Sequence, residues 1–298
     1  MFKISKGSYK NIFTITICIV IVIILAYTLH SYTRYMRYAK IVWIFWDSET
    51  LPKIIQNIKD YNRDKLKGWD LRFLNLQTVK KYIPDTAYPN NYDDLVPANK
   101  SDWMRLYLLN KYGGCWLDAG IILNDPRILN SIYNQSVETS SDLTVFKTSS
   151  QNFRHISGVE LPLLIDSWFI LAPTGSHLVK AWLDEITYAI ELGLLEYKRQ
   201  VIEDGTDLSK IHFKSETDTY LTVHICIQHV LQKKLQSIPR MLILNSKDSM
   251  FKIQDKCKWD DTCIADKLNN DPDSKKLPYI KLISKNRTMN LDKFFTGN

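Results

Sequence analysis

Glycine is scarce in this chain, 10 of 298 residues, and only Gly113-Gly114 are adjacent. There is no glycine-rich phosphate cradle, no dinucleotide fingerprint and no Gly-x-Ser-x-Gly elbow, so P-loop, dinucleotide-binding and serine-hydrolase chemistry have no support. Acidic residues are absent from the first 40 positions, which carry Lys3, Lys6, Lys10, Arg34, Arg37 and Lys40. Those six account for most of the net charge of +7, and the remaining body is close to neutral. A nucleic-acid-binding domain would be strongly basic, so no nucleic-acid partner is expected. Cysteine is also sparse, with five residues and no two-plus-two zinc framework. Cys18, Cys115 and Cys226 sit among apolar neighbours, whereas Cys257 and Cys263 would close a small loop in an oxidising compartment and stay reduced in a cytosol.

Charge is missing from 12–29 altogether. Eighteen uncharged residues span about 27 Å as a helix, close to the hydrocarbon thickness of a bilayer. The run is long for a signal-peptide core and no small-x-small cleavage site follows it, so an uncleaved transmembrane anchor is the expectation. The domain scheme is then a short tail at 1–11, the anchor at 12–29, a tyrosine-rich stem at 30–39 and one globular domain at 40–298.

The globular part opens with Ile41-Val42-Trp43-Ile44-Phe45, an apolar strand of the kind buried on both faces. Pro52 opens a helix carrying Ile54, Ile55 and Ile58 on one side, and Leu71 and Phe73 mark a second strand. Strand, helix, strand is the start of an α/β layer. Residues 83–100, with three prolines and no sustained period, read as a loop.

The centre of the chain is 99–126. Ser101 is a good N-cap for a helix running to Tyr112, and Gly113-Gly114 stop it. Cys115-Trp116-Leu117 then makes a short buried strand with Asp118 at its far end. The helix rises roughly 18 Å and the strand returns roughly 10–13 Å, so Asp118 should come back beside the first helical turn. That turn carries Asp102 and Arg105, three apart and on one face. An Asp/Arg pair so spaced is commonly a surface ion pair, but Asp118, flanked by apolar runs, is costly to bury without a partner.

Ser-Asp-x-x-Arg, Leu-Leu, Tyr-Gly-Gly and Trp-Leu-Asp together resemble the sugar-binding segment of D-x-D glycosyltransferases. The similarity is greatest to the capsular polysaccharide synthesis type, which is related to alpha-mannosyltransferase and large-clostridial-toxin enzymes. The resemblance implies a GT-A, Rossmann-like nucleotide-diphospho-sugar transferase domain that moves a sugar from a nucleotide-sugar donor to a glycan or glycoprotein acceptor, with retention. The alternative is a catalytically silent nucleotide-sugar or glycan-binding module of the same fold. Asp102 and Arg105 are implied to hold the donor sugar, and Asp118 to touch ribose and metal shell. The second acid of the D-x-D is Gly120 here, which leaves dependence on Mn²⁺ or Mg²⁺ open; Asn124 and Asp125 are the nearest substitute oxygens. Trp43 or Trp46, the latter nearer the strand end, would stack on the base. The resemblance also implies a membrane-tethered protein with its catalytic body lumenal.

Further along, 142–147 and 168–172 read as strands and 176–191 as an amphipathic helix. Asp166 is either a turn cap or an acceptor contact. His224 and His229 lie on one helix, five apart rather than the three or four that would share a metal. His224 alone is either a core histidine or a late metal ligand or phosphate partner. A last strand covers 277–284, and its Lys281 matches a basic position of the capsular type, implying phosphate neutralisation.

Overall fold

The computed structural model describes residues 6–147, 161, 163–236, 239–247 and 249–296. The elements in chain order are α1 (Lys6–Arg37), β1 (Ile41–Phe45), α2 (Lys53–Lys65), β2 (Asp70–Leu74), α3 (Pro97–Tyr112), β3 (Gly114–Leu117), β4 (Ile121–Leu123), α4 (Pro126–Thr139), β5 (Leu143–Lys147) and β6 (Ile165–Ala172). There follow α5 (His177–Leu192), α6 (Leu194–Glu203), α7 (Thr222–His229), β7 (Met241–Asn245), α8 (Lys252–Lys256), α9 (Asp261–Asn270), β8 (Tyr279–Lys281) and α10 (Asp292–Thr296).

Six strands form one sheet in the order β2-β1-β3-β6-β5-β7. β1 pairs in parallel with both β2 and β3, and β5 with β7, while β6 runs antiparallel to its neighbours β3 and β5. The sheet is therefore mixed. Alternate residues of each strand enter opposite cores, as a two-residue side-chain period requires. Trp43, Trp116, Val145 and Ile170 pack with α3, α5 and α7 on one face. Val42, Ile44, Cys115 and Leu171 pack with α2 and α4 on the other. The near-continuous apolar runs seen in the sequence are strands buried on both sides.

β4 and β8 form a separate antiparallel ribbon, with Ile121 opposite Lys281. The free side of β4 is closed by buried Asn62, whose amide donates to Ile121 O at 2.7 Å and whose oxygen accepts from Leu123 N at 2.9 Å. On the β8 edge Lys281 N donates to Met250 O at 3.0 Å, so the ribbon is tied into the body on both edges.

Two expectations need correction. Helix α3 begins at Pro97, four residues before Ser101. Proline fits the first helical position because it has no N–H to leave unpaired, so the supposed loop ends earlier and Ser101 lies inside the helix. The fold class with an N-terminal transmembrane helix is also overturned. Among the described residues, no helix is long and apolar enough to cross a membrane. The single-pass, signal-anchored localisation and the membrane partner at 12–29 fall with it. Residues 30–37, read as stem, continue the same helix, and residues 1–5 of the short tail lie outside the described residues.

Candidate active site

A cavity of about 490 Å³ opens where the carboxyl ends of β1 and β3 meet the amino end of β6. Ligand sites of open α/β sheets form at such strand ends. β1 delivers Trp46 and Asp47, β3 delivers Asp118 and Ala119, and the reversed β6 delivers Asp166, Ser167 and Trp168. The first half of α3 supplies Ser101, Asp102 and Arg105, and Lys281 and Arg287 come from β8 and the turn that follows it.

The two-glycine turn does bring Asp118 back to the helix. Arg105 lies 2.8 Å from Asp102 Oδ1 and 3.7 Å from Asp118 Oδ1. Its guanidinium also donates to Ser167 O at 2.6 Å and stacks 5.1 Å from the Trp116 ring. A planar fork with several donors can serve all these acceptors at once, which an ammonium cannot. Asp118 Oδ2 accepts from Lys281 Nζ at 2.9 Å, and its Oδ1 from Trp116 Nε1 at 3.1 Å.

Environment separates the two carboxyls. Burial lifts Asp102 to about 7; Arg105 opposes that rise and the neighbouring Asp118 charge adds to it. Burial would raise Asp118 too, but Lys281 and Arg105 hold it well below the usual carboxylate range. Burial lowers Lys281, with Asp118 opposing. Burial and Arg105 bring His224 down to about 4, so its imidazole is neutral near pH 7. Its Nδ1 is buried with no hydrogen-bond partner.

All six candidate residues, Trp46, Asp102, Arg105, Asp118, His224 and Lys281, line this one cavity, and Asp166 joins them. Trp43 does not: it is fully buried, with its indole N–H bonded to Gly113 O at 2.9 Å. Sequence reasoning missed Arg287, which follows β8 on a short turn and lies with its guanidinium 5.5 Å from the Trp46 ring. No spacing signal marks it, because only the long-range β4–β8 pairing brings it to the site. His229 lies elsewhere, 2.6 Å from Glu185 in a buried pair.

The residues present do not fit a divalent metal. Among the described residues there is no group of three or more His, Cys, Asp and Glu side chains able to hold one. Each oxygen of Asp118 already accepts from an N–H donor, one of them an ammonium whose charge opposes a cation there. The substitute oxygens are also spent. Asn124 bonds Tyr61 and Leu277 O, and Asp125 caps α4 while pairing with Arg127.

An α/β mixed sheet with an Asp/Arg/Asp/Lys cluster at its strand ends is the setting in which the comparisons with known proteins fall. The model of the family described as capsular polysaccharide synthesis protein matches residues 23–191. The chain belongs to that family, as the central motif implied. Glycosyltransferase afumC of Aspergillus fumigatus is 29% identical over 163 residues, covering 47% of this chain and 38% of that protein. O-glycosyltransferase braB of Annulohypoxylon truncatum is 28% identical over 159 residues, covering 49% and 36%. The chain thus spans well under half the length of these curated relatives. A solved glycosyltransferase involved in the glycosylation of the major capsid of PBCV-1 superposes with a TM-score of 0.40 at 10% identity, covering 87% of this chain and 99% of that one.

Proposed function

We propose that the protein is a glycosyltransferase that moves a sugar from a nucleotide-diphosphate donor to a hydroxyl of a glycan or glycoprotein. The observation that carries this reading is the convergence of Asp102, Arg105, Asp118 and Lys281 in one strand-end cavity of a chain from this family. Relatives named glycosyltransferases and O-glycosyltransferases support it.

In the reaction the bond from the anomeric carbon to the diphosphate oxygen breaks, a bond to the acceptor oxygen forms, and the hydroxyl proton passes to the departing diphosphate oxygen. The enzyme must grip the donor sugar, meet the charge growing on the leaving diphosphate, and orient the acceptor. Asp102 and Arg105 supply the grip, Asp102 being poised by its raised pKa to donate or accept a hydrogen bond near neutrality. Asp118 anchors the ribose side and holds Lys281 in place, Lys281 faces the diphosphate, and Trp46 offers its ring to the base. Retention of anomeric configuration is part of the proposal, with Asp166 on the acceptor side.

Melting of the full chain against a panel of nucleotide-sugars, followed by donor hydrolysis, tests the reading. A donor at a hundredfold its dissociation constant adds about 2.7 kcal/mol. A shift with one donor, lost in Asp118→Ala, is the expected result. No shift and no hydrolysis with any donor overturns the transferase reading.

A further inference from the structure

A diphosphate leaving group needs positive charge, and three observations say where it comes from here. The first is that position 120 has no room for an acid. A Cβ built on Gly120 would lie 2.4 Å from Leu282 O, a backbone atom, in a place where Leu282 N already donates to Gly120 O at 2.7 Å. The strand entering from β8 therefore occupies the space that a second acidic side chain would need. A shift of that backbone would strain the Leu282 N–Gly120 O hydrogen bond and the adjoining Lys281–Ile121 pairing.

The second is the state of Asp118. Its Oδ2 carries the Lys281 ammonium at 2.9 Å, and the Arg105 guanidinium stands 3.7 Å from its Oδ1. A divalent cation at this carboxylate would have to displace a buried ammonium and would meet a guanidinium at close range, a like-charge contact costly in a partly dry site.

The third is Arg287. Its Nε is buried without a hydrogen-bond partner, and its guanidinium lies beside the Trp46 ring, on the wall of the same cavity. A buried donor left unpaired is expensive; this Nε packs toward Gly120, 3.3 Å from where a Cβ there would stand, so a ligand would meet the guanidinium from the cavity side, beside Trp46. Guanidinium is the side chain best shaped to take two oxygens of a phosphate.

We infer that Arg287 and Lys281, with Arg105 behind them, hold the diphosphate of the donor in place of a divalent metal ion. The inference rests on the transferase reading for the identity of the ligand. Arg287 beside the Trp46 ring and Lys281, kept aimed by Asp118, both line the cavity that the diphosphate would enter.

The test is calorimetric titration of the full chain with UDP, GDP, CDP and ADP, each in EDTA and again in excess MnCl₂. The inference expects one of these nucleotides to bind with the same dissociation constant in both buffers. Arg287→Gln should weaken that binding by roughly tenfold or more in both, and Arg287→Lys should recover part of it, while both variants melt as the parent does without nucleotide. Binding that appears only with Mn²⁺, or that Arg287→Gln leaves unchanged, overturns the inference and leaves the transferase reading standing. Absence of binding by all four nucleotides in both buffers overturns the two together.

Discussion

Lys281 Nζ donates to Asp118 Oδ2 at 2.9 Å across 163 positions of sequence, and this pair joins the central β3 motif to the β4–β8 ribbon. Removing the lysine takes the near counter-charge from Asp118 and leaves it to Trp116 Nε1 at 3.1 Å and the Arg105 guanidinium at 3.7 Å. Lys281→Met should destabilise the protein by about 3 kcal/mol, as breaking buried ion pairs does, and should raise the pKa of Asp118 because its main counter-charge is gone. Lys281→Met combined with Asp118→Leu should cost less than the two single changes added together. Urea midpoints of the four proteins check this.

Gly120→Ala should cost about 1–3 kcal/mol, because the added methyl meets the Leu282 carbonyl rather than a side chain that can swing away. Gly120→Asp should be worse, and Mn²⁺ should not restore its melting temperature. A melting series with and without the metal distinguishes a crowded backbone from a missing ligand.

His224 and Asp102 should pull the acid side of the stability profile in opposite directions. The folded chain holds His224 at about 4 against an ordinary 6.5. Between those values the unfolded chain takes up a proton that the folded chain refuses. Stability from this residue is therefore whole above pH 6.5 and is lost as pH falls toward 4. Asp102, at about 7 against 3.8, keeps a proton in the folded state over most of the same range. Its contribution grows as pH falls from 7 toward 4. Melting temperatures from pH 4 to 7 should show a shallower acid loss for His224→Gln and a steeper one for Asp102→Asn.

Reduction of the Cys257–Cys263 disulfide should lower stability by about 2 kcal/mol, the chain-entropy value for so short a loop. It should also weaken nucleotide binding. Trp259 O in that loop accepts from Lys285, and neighbouring Asp261 accepts from Asn286 at 2.8 Å, so the loop braces the turn bearing Arg287. Titration of the oxidised and reduced protein side by side checks both effects.

Local pattern revealed much of this site. Asp102, Arg105 and Asp118 could be brought together on paper because a helix and a strand joined by two glycines have a calculable reach. Trp46 followed from its place after an apolar strand. The start of α3 was hidden because Pro97 sits among other loop-forming residues and Ser101 offered a more familiar cap. Hydropathy over 12–29 was read as a membrane span, whereas among the described residues no helix is long and apolar enough to cross a membrane. The reversed direction of β6 left no trace, since an apolar run reads the same in either sense, yet it places Asp166, Ser167 and Trp168 at the site. Arg287 was out of reach for a different reason: its place depends on a pairing between segments far apart, which neither period nor spacing encodes.

That distant pairing also sets a clock on synthesis. A ribosome adds residues at roughly 5–20 per second, so Asp118 waits on the order of ten to thirty seconds for Lys281 to be made. Throughout that interval β4 lacks its partner strand and the carboxylate lacks its lysine. A nascent chain interrupted anywhere between 119 and 280 carries the recognisable family motif with neither Lys281 nor Arg287 beside it. Such fragments would lack the charges that complete the cavity, and they would present an open strand edge for chaperones to shield.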